Sequence, residues 1–384
     1  MVLHTVANSA DRPSRAGVAA ATGLTRATVS ALVDDLVAGG LLAEVAPPPR
    51  TGAGRPAVGL ALNAAGPAGL GLEINVDYLA ACVVDLTGAV RQRWVEHADQ
   101  RPADPAQSLA ALGGLAARAR LAAEADGLTV AGAAIAVPGL VAGGGLVRVA
   151  PNLGWQDVDA AAALSAVPEL AGLPVTVDNE ANLAALGELR ATGGGPTANF
   201  FPSDIEQRGA GSPDGSGSDR PGRVEKSSFL YVSGEVGIGA GLVLDGELYR
   251  GVRGWSGEIG HMTVFPDGRP CRCGASGCLE QYAGQEALDD DVPLAAAALG
   301  IALSAVVNLL DVPVIVLGGA YAPVFAPLRD GIETELRRRV LTAGLAPVAL
   351  RPAALGADAA MRGAADTVIR AVREDPAAWL RRGA

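Results

Sequence analysis

His261, Cys271, Cys273 and Cys278 fall within 18 residues of a 384-residue chain that holds only four cysteines and three histidines. Neutral imidazole together with thiolates is a donor set that suits tetrahedral zinc. The residues sit in Gly257-Glu258-Ile259-Gly260-His261 and in Cys271-Arg272-Cys273-Gly274-Ala275-Ser276-Gly277-Cys278-Leu279-Glu280. Glycines between the cysteines let a short loop wrap one ion. With four protein ligands no coordination position is left open for chemistry, so the expected ion is a structural Zn2+. Glu258 and Glu280 flank the cluster, so a metal here would order a loop that presents carboxylates. Cys82 stands apart in an apolar segment and reads as a buried small hydrophobe.

The rest of the chain must position that loop. Its length predicts two or three domains, and an apolar fraction of 49% predicts a globular protein. A net charge of −11 excludes a surface that binds nucleic acid everywhere, but not one small DNA-reading module. The start, Met1-Val2-Leu3-His4-Thr5, shows no charged region followed by an apolar run, and no stretch is expected to reach the length and apolarity of a membrane span. A cytoplasmic protein without membrane contact is expected. Disulfides are rare in that compartment, which again favours a metal for the clustered cysteines.

Residues 1–63 read as a separate module. Ser14 caps a short helix that Gly23 breaks, and Thr25 caps a second helix from Arg26 to about Ala38 with Val29, Leu32, Val33 and Leu36 on one face. Only Val2 to about Ala10 is available for a preceding helix. Leu41–Val45 and Val58–Leu62 predict two wing strands around Pro47-Pro48-Pro49-Arg50-Thr51-Gly52-Ala53-Gly54-Arg55-Pro56. This is the pattern of a winged helix-turn-helix. Within it Arg12, Arg15, Arg26, Arg50 and Arg55 outnumber the acids by one, against the −11 of the whole chain. Arg26, Thr28 and Ser30 are expected to face a DNA groove, with Arg50 and Arg55 on the wing where arginine can enter a minor groove.

From residue 67 to the end the chain alternates strands and helices. Leu70–Ile74 with Leu79–Asp85, and Phe229–Val232 with Ile238–Leu244, predict two hairpins. Val130–Val137, Val175–Asn179 and Val314–Gly319 predict buried strands. Two hairpin starts, each followed by strand–helix alternation, predict two similar α/β lobes. Half of residues 193–228 are Gly, Pro or Ser, a composition that predicts a disordered surface loop.

The motifs Gly-Glu-Ile-Gly-His at 257–261 and Cys-x-Cys-Gly-x-x-Gly-Cys-x-Glu at 271–280, with Asp178-Asn179-Glu180-Ala181-Asn182, Pro151-Asn152-Leu153-Gly154-Trp155 and Gly237-Ile238-Gly239-Ala240-Gly241 around them, resemble those of the ROK family. That family comprises bacterial sugar kinases and related sugar-responsive repressors. The fused winged helix-turn-helix resembles its xylose-repressor-like regulator branch. The resemblance implies an actin-like, ribonuclease-H-type duplicated fold with a sugar between the lobes. By motif position it implies that Asn152, Asn179, Glu180, Glu258, His261 and Glu280 line the sugar site. Carboxylates and amides supply the acceptors and donors that a sugar needs.

The kinases of the family begin with an Asp-x-Gly-Gly-Thr phosphate loop. The matching stretch here is Glu73-Ile74-Asn75-Val76-Asp77. Both glycines are gone, and with them the close backbone approach to phosphate. Asp77 would put a negative charge beside the ATP phosphates, and like charges about 4 Å apart in a partly buried site repel by several kcal/mol. Glu180 matches the position of the kinases' catalytic Asp. The expectation is a regulator rather than an enzyme, with operator DNA and a small sugar or sugar phosphate as partners, in a homodimer or homotetramer. An ATP-dependent sugar kinase carrying a DNA-binding domain is the alternative.

Overall fold

The computed structural model describes residues 1–9, 11–46, 58–101, 104–191 and 227–382. They divide into two compact units, Met1–Asn179 with Met361–Ala384, and Glu180–Ala360. The wing residues Arg50 and Arg55, and nearly all of the expected loop 193–228, lie outside the described residues.

The first unit opens with three helices, α1 (Val2–Ala7), α2 (Arg15–Thr22) and α3 (Arg26–Ala38), and a two-stranded antiparallel sheet, β1 (Leu42–Val45) with β2 (Gly59–Leu62). The caps fall where the sequence places them. Ser14 Oγ accepts from the Gly17 N–H and Thr25 Oγ1 from the Thr28 N–H, both at 3.2 Å. The left-handed Gly23 (φ 71°) ends α2. The chain turns through 117° between α2 and α3. Val2, Leu3, Val6, Val18, Val29, Val33 and Leu36 form the small core between them. Leu32, expected on the same face, is exposed.

A five-stranded sheet follows. β3 (Pro67–Ile74), β4 (Tyr78–Asp85) and β5 (Val90–His97) form an antiparallel meander. After α4 (Pro105–Ala125), β6 (Thr129–Val137) pairs parallel with β3. Three short antiparallel strands, β7 (Leu140–Ala142), β8 (Leu146–Ala150) and β9 (Trp155–Asp159), form a separate sheet. α5 (Ala160–Ser165) leads on to β10 (Val175–Asn179), parallel to β6. The sheet order is β10-β6-β3-β4-β5.

The second unit begins with α6 (Glu180–Ala191). Its sheet contains the meander β11 (Phe229–Gly234), β12 (Ile238–Leu244) and β13 (Glu247–Tyr249). Helices α7 (Glu280–Ala283), α8 (Gln285–Asp290) and α9 (Val292–Leu310) come next. β14 (Val314–Gly319) lies parallel to β11, and after α10 (Phe325–Arg339), β15 (Ala349–Pro352) lies parallel to β14. The order β15-β14-β11-β12-β13 repeats that of the first sheet strand for strand. This is the duplicated actin-like, ribonuclease-H-type fold. Finally α11 (Ala359–Glu374) and α12 (Pro376–Arg382) return the chain to the first unit.

The return explains why β3 is buried along all eight residues. α11 packs so closely on it that a Cβ at Gly71 would lie 1.9 Å from the Met361 carbonyl oxygen. Gly71 is therefore a contact surface for the helix, not a break in the strand.

One expectation from the sequence is corrected. α9 spans 19 residues without a charge at a mean hydropathy of 2.0, long and apolar enough by composition to cross a membrane. One of its faces lies in the core of the second unit, through Ala295, Ala298, Leu299, Ala302 and Leu303.

Candidate metal centre and the carboxylates around it

The segment 257–280 belongs to the second unit and is built by backbone pairing. Gly257 (φ 104°) approaches the Ala240 backbone so closely that a Cβ there would sit 1.9 Å from the Ala240 carbonyl oxygen, and the Ala240 N–H donates to Gly257 O at 2.9 Å. This fixes Glu258 next to β12. A single helical turn over Ile259–His261 then aims the histidine. Bridges between Thr263 and Cys278 and between Pro270 and Ser276 fold the rest back on itself, and the Cys271 N–H donates to Ala275 O at 2.8 Å.

The fold brings the four expected ligands together. His261 Nδ1 lies 3.9 Å from Cys271 Sγ, and Cys273 Sγ lies 3.7 Å from Cys278 Sγ. All four donor atoms are within 4.8 Å of one another. A tetrahedron with metal–sulfur bonds of about 2.3 Å has edges of roughly 3.8 Å, so the donors already stand near the corners a zinc ion requires. Burial, reinforced by the neighbouring Cys273 and Cys271 thiols, pushes Cys278 up to about 12. Cys273 is drawn the other way, first by a backbone hydrogen bond at Ala275. Gln281, which sequence reasoning did not single out, donates from Nε2 to Cys271 Sγ at 3.7 Å. Tyr282 also escaped it: its hydroxyl accepts from the Arg269 N–H at 2.6 Å, and its ring lies under the Arg269 guanidinium at 5.0 Å.

Glu258 lies close enough to His261 and Glu280 to feel the charge of each. Burial raises the Glu258 pKa; His261 opposes this and the Glu280 carboxylate adds to it. Glu280 opens α7, whose far end is pinned by the Tyr321 hydroxyl donating to Ala283 O at 2.7 Å. Glu180, the first residue of α6, also belongs to the second unit.

Asn152 and Asn179 belong to the first unit. Asn152 occupies the turn between the paired residues Ala150 and Trp155, and buried Trp155 anchors that turn. Asn179 ends β10, and its Nδ2 donates to Gly139 O at 3.0 Å. The segment matching a phosphate loop is the β3–β4 corner. Asn75 and Val76 are buried there, Tyr78 donates its hydroxyl to Glu73 Oε1 at 2.7 Å, and Asp77 pairs with Arg101 at 3.3 Å.

On α3, Arg26 and Thr28 are exposed and Ser30 is half-buried. The Ser30 carbonyl accepts from Arg15, whose guanidinium also pairs with Asp34 and Glu44 at 2.7 and 2.8 Å. Arg15 thus ties α2, α3 and β1 together, a role its composition alone does not announce.

The ROK family model matches residues 69–209 and 222–293, more than half of the chain. A xylose repressor of Bacillus spizizenii is 27% identical over 383 residues, covering 93% of this chain and 91% of that protein. A xylose repressor of Caldicellulosiruptor bescii is 32% identical over 277 residues, 72% of this chain, and there the chain spans about three fifths (61%) of the relative's length. A glucokinase of Halalkalibacterium halodurans is 38% identical over a shorter stretch of 140 residues, 36% of this chain and 33% of that protein. The fold is that of a ROK family transcriptional regulator, a homologue of the E. coli MLC protein, with a TM-score of 0.73 at 23% identity over 98% of this chain and 97% of that one. With its zinc-type motif and its duplicated fold in place, this chain belongs to the ROK family.

Proposed function

We propose that this protein is a sugar-responsive transcriptional repressor in which residues 1–63 read operator DNA and residues 67–384 bind the sugar. The observation that carries this reading is the joining, in one chain, of a helix-turn-helix with capped, sharply crossed helices to a ROK body (α2 and α3 turn through 117°). The resemblance to a xylose repressor along 93% of the chain supports it. Arg26 and Thr28 contact the DNA, with Ser30 beside them and Arg50 and Arg55 on the wing. The effector is a small sugar or sugar phosphate, and xylose is the first to test. Asn152, Asn179, Glu180, Glu258, His261 and Glu280 are its hydrogen-bonding partners.

The residues around the four donors fit a zinc ion. His261, Cys271, Cys273 and Cys278 would hold it, and it would supply structural order rather than a reactive centre. His261 then offers its second nitrogen to the sugar, so that metal and pocket share one side chain. The protein acts in the cytoplasm as a dimer or tetramer.

The β3–β4 corner argues against phosphoryl transfer. Buried Asn75 and Val76 stand where a phosphate loop has glycines that let the backbone approach phosphate closely, and Asp77, paired with Arg101, puts a carboxylate beside them. The kinase alternative keeps a possible base in Glu180 and finds support in the match to glucokinases. Two measurements decide between them. In thermal-shift and operator-retention assays with pentoses, hexoses and their phosphates, one sugar should stabilise the protein and change DNA retention. In a coupled assay with ATP and the same sugars, turnover at about 1–100 per second would overturn the regulator reading.

A further inference from the structure

The four donors of the metal centre differ in how far the fold covers them. Cys271 and Cys278 are 8% and 0% exposed, whereas Cys273 lies open to solvent. A centre with one sulfur at the surface is within reach of a small oxidant. The sulfur beside it is Cys278 Sγ, at 3.7 Å. An accessible thiolate with a second thiol in contact is the arrangement that oxidation turns into a disulfide.

The backbone favours this pair. Cys278 is fixed, because it bridges to Thr263 and because Gly277 before it packs so tightly that a Cβ there would lie 1.6 Å from the Phe265 carbonyl oxygen. Cys273 sits at the surface with Gly274, Ala275 and Ser276, and Gly274 (φ 94°) has open space around it. A disulfide draws its sulfurs to about 2 Å, a short displacement for a loop with a glycine at each end. Cys271 is a poorer partner. It is buried, and Gln281 Nε2 donates to its sulfur at 3.7 Å. Only Arg272 separates it from Cys273, so a bond between them would close a small, strained ring.

We propose that Cys273 and Cys278 form an oxidation site, at which a hydroperoxide joins the two sulfurs and so opens the metal centre. The Cys273 sulfur attacks the peroxide, the O–O bond breaks, and a sulfenic acid forms as hydroxide leaves. The Cys278 sulfur then attacks that of Cys273, the S–S bond forms, the S–O bond breaks and a second hydroxide leaves. Two electrons pass from the sulfurs to the peroxide, and two protons from solvent complete two waters. A small thiol, itself oxidised to its disulfide, reverses the change. With the pair joined, His261 and Cys271 are the donors that remain, too few for a tetrahedral ion. Segment 257–280, which presents Glu258, His261 and Glu280, then loses what orders it. In a reducing compartment the disulfides that do occur are transient and redox-sensing. The proposal rests on the zinc reading of the four donors, and not on the sugar or the DNA.

The test uses the full chain, zinc-loaded and reduced, then freed of reductant. Hydrogen peroxide should release zinc, read by the absorbance of a chelating dye, and peptide mapping by mass spectrometry should find Cys273 linked to Cys278. Dithiothreitol with added zinc should restore the thiols and the metal. Cys273→His keeps four donors of a kind that zinc accepts but removes the exposed thiol, so its zinc loss should be at least about tenfold slower. Cys82→Ser should lose zinc at the wild-type rate. A disulfide to Cys271 or Cys82, a sulfinic acid on Cys273 with no disulfide, or a zinc-loaded protein that keeps its metal under peroxide would overturn this proposal alone. Reduced protein that takes up no zinc would sink the zinc reading along with it. Mapping of the wild type decides the pairing whether or not the Cys273→His chain loads zinc.

Discussion

Burial, with the neighbouring Cys273 and Cys271 thiols adding to it, holds the Cys278 thiol protonated when no cation stands among the four donors. A bound zinc ion reverses this, because ligation and loss of the thiol protons are one event. Chelation should therefore cost the protein most of the order of segment 257–280. A ligand present at a thousand times its Kd stabilises by about 4 kcal/mol, and each kcal/mol moves the melting point of a domain this size by roughly 2–4 °C. Stripping the metal should thus lower the melting temperature by about 10 °C, and Cys271→Ser or Cys278→Ser should abolish the one-to-one zinc content read by atomic emission. Cys82→Ser, far along the sequence and buried between sheet and helix, should leave that content unchanged. Glu258 makes a second prediction at this scale. Its carboxylate is buried beside Glu280, so the charge is held at a cost in stability. Glu258→Gln should raise the melting temperature of the sugar-free protein, while weakening the sugar by about 10- to 100-fold through loss of a charged acceptor. Calorimetry reads both, and a variant that loses stability together with affinity would show that Glu258 is structural.

Helix caps, hairpins and the metal loop were legible because each is written in neighbouring residues. Ser14, Thr25 and Gly23 declare the ends of α2 and α3, and the cysteine spacing declares the cluster. What was hidden depends on distant partners. β5 reads as polar because it is an edge strand, with Arg91, Arg93 and Glu96 among its residues. β7, β8 and β9 are too short to show a period. Leu32 follows the helical pattern but finds nothing to cover it. Asn152 and Asn179 could be assigned only by motif, since nothing local says what they face. Nothing local marks Gly71 as a contact with α11, nearly three hundred residues away in sequence. Gly71→Ala must push the Met361 backbone aside, and its cost is expected at about 3 kcal/mol or more, in the range of overpacked cores. Gly88→Ala has open space around it and carries only the strain of its φ of 91°, about 1 kcal/mol. Urea unfolding of the two variants should separate them clearly, and equal losses would show that the contact between β3 and α11 is looser than this packing requires.

For the molecule as a whole, the repressor reading needs a path from the sugar-binding body to the DNA-reading helix, and α12 offers one inside the first unit. Trp379 Nε1 donates to the carbonyl of Gly39, the residue that closes α3, at 2.9 Å, and Leu380 packs over the same glycine. One turn further on, Arg382 donates to the Ala131 carbonyl in β6 at 3.0 Å. α12 thus joins the end of α3 to a central strand of the sheet that ends, through β10, at Asn179. If sugar binding shifts that sheet, α12 carries the shift to α3. Coupling of this kind between two sites is typically worth about 1–3 kcal/mol. Trp379→Ala removes both the hydrogen bond and the ring, so operator affinity without sugar should change less than about threefold while sugar-induced release falls from about 10- to 100-fold to threefold or less. Trp379→Phe, which keeps much of the packing and loses only the hydrogen bond, should retain part of the response. Fluorescence anisotropy of labelled operator, titrated with and without sugar, measures both quantities for each variant. A Trp379→Ala protein that releases DNA as fully as the wild type would place the coupling elsewhere, with β1 and β2, which connect α3 to β3 along the chain, as the remaining route.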